Sequence, residues 1–244
     1  MKNILARIFV AFIICQTPAL AVEPPNAAMK SILHELKGMA SPDDFQQISD
    51  AIALSETLQR ELNELAGKNQ FTGFSILPRE QLTDPETKIF GGFTQGSKIV
   101  FASEFLKELK KVHHVFPNSD FLPNNTVFVL SHLLYHIRNP VDPFEYTSRD
   151  TFVEAKLNTE ASAFIHAWNT MLQVAERSNN AKPLSMPQYM TLLMNARYRF
   201  ALLKAMEQKN LPLEFSPSGS VEINDENIRA VAAALRKSTV ADIE

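Results

Sequence analysis

The segment from residue 125 to residue 138, NTVFVLSHLLYHIR, constrains the fold more than any other part of the chain. Its apolar residues cover nearly the whole circumference of a helix, which is the pattern of a helix that is buried on all sides. His132 and His136 lie one turn apart in this helix, so both imidazoles project from the same face. Buried imidazoles need polar partners, and a bound metal ion is one way to supply them.

Glu160 is the candidate for a third metal ligand. It belongs to a long helix that we predict over about 150–178, and a carboxylate inside an apolar stripe is unfavourable unless it is paired or bound to a metal. Glu154 is the alternative, but it lies three residues after Thr151, where a capping box explains an acidic side chain without a metal. We therefore favour Glu160 over Glu154. The apolar neighbours of Glu160 on its helical face are Val153, Leu157, Phe164, Ala167, Trp168 and Met171.

The order of these motifs resembles that of the zincin metallopeptidases of the glutamate type. Those proteins carry HExxH on a central helix and a glutamate ligand on the next helix, often in an E-x-x-A context, with a glycine-containing edge strand upstream. Here GGFTQGSKIVFASEFLKEL (91–109) precedes VFVLSHLLYH (127–136), and NTEASAF (158–164) follows. The resemblance covers about a third of the chain, residues 88–170, and implies a zinc ion held by the two histidines and Glu160.

The chain departs from this family at two positions. Leu133 stands where zincins carry the glutamate that deprotonates the zinc-bound water, and Phe164 stands where they carry an aspartate. The resemblance therefore implies a metal site without the usual catalytic base. In NARYRF (195–200), Arg197 and Tyr198 could reach the cleft as donors that stabilise an oxyanion, although a surface-charge role is favoured for them.

The rest of the chain predicts an α+β fold that is mostly helical, with one small sheet whose glycine-bearing edge strand packs on the metal-site helix. The predicted segments are helices over 28–38, 42–66, 103–113, 185–209 and 225–237, and strands over 70–77 and within 88–102. We divide the chain into an N-terminal helical segment (22–69) and a zincin-like domain with C-terminal helices (70–244).

Residues 1–21 are expected to be a signal peptide. Lys2 and Arg7 precede an apolar stretch too short to span a bilayer, and Ala-Leu-Ala at 19–21 matches the pattern that signal peptidase reads. Its removal takes away the only cysteine, Cys15, and changes the formal net charge from −3 to −5. We expect a periplasmic or secreted protein with no transmembrane segment. The absence of a basic block argues against a nucleic-acid partner.

Three functions are compatible with these residues. The one we favour is a zincin-like pseudo-peptidase that keeps zinc and binds or regulates a peptide or protein in the cell envelope, with its edge strand available to hold a peptide. The second is an active zinc-dependent hydrolase whose base is another residue, such as Glu145, Asp150 or Glu154. The third is a metal-free helical envelope protein whose histidines hydrogen-bond to each other or to water.

Overall fold

The structure of the protein, a computed structural model, describes residues 24–82, 91–110, 123–196, 199–208 and 212–241. The predicted signal peptide (1–21) and the possible site residues Arg197 and Tyr198 lie outside the described residues. Within that part of the chain, no helix is both long enough and apolar enough to cross a bilayer. The division of the chain at residue 70 stays a prediction.

The described residues form α-helices around a three-stranded sheet, which confirms the coarse prediction of a mostly helical α+β fold. The helices are α1 (Ala27–Met39), α2 (Pro42–Leu54), α3 (Glu56–Gly67), α4 (Ser103–Leu109), α5 (Asn125–Arg138), α6 (Arg149–Ser178), α7 (Met186–Asn195), α8 (Arg199–Met206) and α9 (Asp225–Ala241). The strands are β1 (Gly73–Leu77), β2 (Gly92–Gln95) and β3 (Lys98–Ala102), and short 3-10 turns occur at Arg79–Gln81 and Pro143–Glu145.

The sheet has the strand order β1-β3-β2. Strand β1 runs parallel to β3, with Gly73 opposite Lys98, whereas β2 runs antiparallel to β3, with Gly92 opposite Phe101. Strands β2 and β3 form a hairpin that turns at Gly96, whose φ of +58° is a left-handed conformation that glycine adopts readily. Both hairpin strands contact α5, so a glycine-bearing outer strand lies beside the histidine helix.

Helix α5 has the bounds that the sequence predicts. The Asn124 side chain accepts a hydrogen bond from the amide of Val127 at the start, and Asn139 followed by Pro140 ends the helix. All residues from Asn125 to Ser131 are buried, and α2, α3, α4, α6 and the hairpin all contact this helix. The predicted burial of α5 on all sides is therefore observed over its first two turns, and its last turn reaches the surface.

Helix α6 runs antiparallel to α5, because Ser131 hydrogen-bonds to Thr170 while His136, further along α5, contacts Glu160. Its first turns project beyond the core, and Val153 is 42% exposed there. From Ala161 onward its inner face is buried, with Trp168 fully enclosed and donating from Nε1 to the carbonyl of Gly219. The metal candidates thus lie where α6 enters the core.

Two predicted helices are each divided in the structure. The predicted helix over 42–66 is broken at Ser55, which adopts an extended conformation and whose side chain caps α3 by accepting from the amide of Leu58. Serine is a favoured N-cap residue, and here that preference outweighs the continuous apolar periodicity. The predicted helix over 185–209 ends instead at Asn195, because Ala196 is extended with ψ of 138°.

Substitution of Gly91 by alanine should destabilise the protein strongly. Gly91 has φ of +70°, and an added Cβ would lie 2.5 Å from Cγ of Phe105, so both left-handed strain and overpacking oppose the change. We expect a loss of about 2–4 kcal/mol in the free energy of unfolding. The matched control is Gly96→Ala, which has the same strain (φ +58°) but meets no described atom within 4 Å. Equal losses in urea denaturation of the two variants would contradict the packing argument.

Candidate metal centre

Three side chains from two helices converge at one point. His132 Nε2 lies 3.1 Å from Glu160 Oε1, His136 Nε2 lies 2.9 Å from Glu160 Oε2, and the two Nε2 atoms are 3.2 Å apart. Among the described residues, these three side chains form a group whose ligand atoms are close enough together to hold a metal ion. The structure thus brings together the three residues that the sequence singles out.

The geometry of the three side chains suits a shared cation. Ligands bound at about 2.0–2.1 Å around a tetrahedral ion lie about 3.3 Å from one another. The two Nε2 atoms are 3.2 Å apart, and each lies 2.9–3.1 Å from one carboxylate oxygen. Direct hydrogen bonding serves the group less well. Each Nε2 is near both the other Nε2 and a carboxylate oxygen, and one N–H directed along one line cannot serve both neighbours. A cation bound by the three side chains would accept one lone pair from each Nε2 and one from the carboxylate.

The carboxyl group of Glu160 is held in its charged form. Burial by itself would raise the pKa of Glu160, but the positive charge of His132 and hydrogen bonds from both histidines outweigh burial and hold this pKa well below its usual value of 4.5. The Glu160 side chain is 39% exposed, so solvent screening reduces the energetic size of this effect. A negative oxygen pair is therefore available near neutral pH, as a metal ligand requires.

The rings of Phe128 and Phe164 lie beside His132, a contact that the sequence analysis did not predict. The Phe164 ring meets the His132 ring edge-on at 5.0 Å between centroids, and the Phe128 ring lies nearly parallel to it at 6.5 Å. Helical spacing could have indicated this contact, because Phe128 is four residues before His132 and Phe164 is four residues after Glu160. Enclosed in this way, His132 Nδ1 is buried and has no hydrogen-bond partner among the described residues.

Glu154 does not join the cluster. It is exposed on the projecting part of α6, six residues before Glu160, which is about 9 Å along the helix. Our explanation of Glu154 by a capping box with Thr151 is wrong. The N-cap is Ser148, and Thr151 is its partner at the third position, so Glu154 has no capping role.

A second histidine contact lies on another face of α6. His166 Nε2 is 3.1 Å from the carboxylate of Glu61 on α3, which also lies 3.4 Å from Nη1 of Arg138. His166 is therefore a hydrogen-bonded histidine separate from the metal candidates. Nothing in the local sequence identifies Glu61 as its partner, since the two residues are 105 positions apart.

Comparison with known protein families, with curated proteins and with solved structures finds no match for this chain. The assignment to the zincin class therefore stays a prediction from the residues quoted above. What the described geometry provides independently is a His-His-Glu group that could hold a metal ion.

The lowered pKa of Glu160 predicts a specific loss of stability in acid. With metal removed by a chelator, the wild type should be more stable than Glu160→Gln at pH 6, and this difference should shrink as the pH falls below about 4.5. The sign follows because the unfolded chain takes up the proton at a higher pH than the folded protein does. Urea denaturation of both proteins from pH 6 to pH 3 measures this, and a constant difference would contradict it.

Proposed function

We propose that this protein binds one Zn²⁺ ion through His132, His136 and Glu160 on a zincin-like scaffold. The observation that carries the proposal is the convergence of His132, His136 and Glu160 from two helices of the core. The two Nε2 atoms are 3.2 Å apart, and each lies within 3.1 Å of one oxygen of the Glu160 carboxylate. Two imidazoles and a carboxylate are a donor set that catalytic zinc sites use, with a fourth position left open. The side chain of Glu160 is more exposed than those of His132 and His136, which is consistent with a site that opens to solvent on the glutamate side.

We further propose that the site no longer supports peptide hydrolysis. Leu133 is 5% exposed and part of the apolar core, so the position next to His132 offers no base. The other candidate bases are Glu145, in the 3-10 turn before α6, and Asp150 and Glu154, on the projecting first turns of α6. Glu154 and Asp150 are six and ten residues before Glu160, about 9 and 15 Å along α6, whereas a general base must come within hydrogen-bond reach of the attacking water.

Without a base, the function that remains is binding. The glycine-bearing strand β2 pairs on one side with β3, and among the described strands its other side has no partner. An extended peptide could add to that side as a further strand, next to the helix that carries the histidines. We therefore propose a pseudo-peptidase that binds or regulates a peptide or protein in the cell envelope. The envelope location rests on the signal-peptide pattern of residues 1–21.

Metal content tests the first part of this proposal. Protein produced with zinc in the medium should contain about one Zn²⁺ per chain by elemental analysis, since three protein ligands suffice for a zinc site. The double substitution His132→Ala and His136→Ala should abolish this content. His34→Ala is the matched control, because His34 is exposed on α1 and should be dispensable. If the wild type contains no zinc and zinc leaves its thermal unfolding unchanged, the metal-free alternative is favoured instead.

Restoring the missing base tests the second part. The wild type should not cleave casein or peptides, whereas Leu133→Glu should gain slow hydrolysis that a chelator stops. Both Leu133→Glu and its control, Leu134→Glu, place a carboxylate in the core and should lose on the order of 3 kcal/mol of stability. Hydrolysis should follow only from the change at position 133. Chelator-sensitive cleavage by the wild type would instead support the hydrolase with a non-standard base.

A further inference from the structure

We propose that the metal at this site is exchangeable, so that the folded protein takes up and releases zinc as the free concentration changes. This inference rests on the proposed zinc site and concerns how that site is used. It would make the metal a reversible ligand of a stable fold, in contrast to structural zinc sites, where folding and metal binding are one event. Three observations support it.

The first observation concerns the second nitrogen of His132. A histidine that binds a metal through one nitrogen almost always donates the other N–H to an acceptor, and loss of that acceptor weakens metal affinity by about 10–100-fold. Nδ1 of His132 is buried and has no partner among the described residues, and the rings of Phe128 and Phe164 lie against this imidazole. With Nε2 on a metal, the proton must reside on Nδ1, where it is a donor without an acceptor.

The second observation concerns the protein without metal. Each oxygen of Glu160 lies within 3.1 Å of one histidine nitrogen, so both histidines can donate to the carboxylate when no cation is bound. Loss of a buried charge partner is destabilising because it leaves a charge uncompensated. Removal of the ion does not have this effect here, because the Glu160 carboxylate keeps its contacts with both histidines. The stability of the metal-free form lowers the net gain from binding.

The third observation concerns the support of the two helices beyond the metal site. Leu130 and Leu134 on α5 and Ile165 and Trp168 on α6 are at most 1% exposed and belong to the same core. The Ser131 hydroxyl donates to Thr170 across the helix interface. These contacts do not require the metal, so the ligands stay preorganised when the ion leaves.

A release experiment tests the inference directly. Protein loaded with one equivalent of Zn²⁺ is mixed with a large excess of a zinc-binding chromophore, and absorbance reports release while circular dichroism reports folding. We expect complete release within minutes and an unchanged helical signal. Retention of the zinc for hours, or loss of helical signal with release, would overturn the inference. Failure to take up zinc at all would instead overturn the proposed function, so the two failures are distinguishable.

Supplying a hydrogen-bond acceptor for Nδ1 of His132 tests whether the missing acceptor weakens zinc binding. Phe128→Gln and Phe164→Gln each place an amide oxygen beside the His132 ring, and Phe128→Leu and Phe164→Leu are the controls that remove the ring without adding an acceptor. In competition titrations with the same chromophore, at least one glutamine variant should bind Zn²⁺ about tenfold more tightly than its leucine control. Two positions are used so that poor folding at one leaves the other informative. Folded variants at both positions with equal affinities in each pair would overturn the role assigned to Nδ1.

Discussion

The burial of α5 on nearly all sides is the constraint on which the rest of the structure depends. Polar groups on a buried helix need partners on the elements that cover it. The antiparallel helix α6 supplies partners at successive levels along α5, although Nδ1 of His132 has none among the described residues. Ser131 pairs with Thr170, the Tyr135 ring contacts His166 at 5.5 Å, and the two metal-candidate histidines meet Glu160. These pairs fix the register of the two helices, since a slip by one turn would leave several buried polar groups unpaired.

The two carboxylates that contact histidines have different surroundings, and this difference separates a structural role from a metal-binding one. Glu61 lies near His166 and also near the guanidinium of Arg138, a permanent cation that would repel a metal ion. Glu160 contacts His132 and His136, and neutral imidazoles are common metal ligands. The same residue pair, glutamate with histidine, therefore joins α3 to α6 in one place and forms a group that could hold a metal ion in the other.

Features of the fold that depend on nearby residues could be predicted from the sequence. The bounds of α5 follow from Asn124 at its start and Asn139-Pro140 at its end. Glu160 is identified by apolar residues on both sides of it on one helical face, of which those from Phe164 onward are buried whereas Val153 is 42% exposed. Features that depend on distant residues or on competing local preferences could not be predicted in this way. The break at Ser55 is a cap that apolar periodicity conceals, and the contact of Glu61 with His166 joins residues 105 positions apart. The orphaned Nδ1 of His132 likewise requires three-dimensional packing to be seen.

Position 133 relates the stability of the fold to its chemistry. A glutamate there would have to be accommodated at a site that is 5% exposed, and burial of a charge without a partner is strongly unfavourable. Enzymes retain such destabilising residues because the reaction requires them. Leucine at this position packs with the apolar core and removes that penalty together with the base. For a protein whose function is binding, leucine at this position gives stability without loss of function, which agrees with the function proposed above. The His-His-Glu group beside it could hold a metal ion.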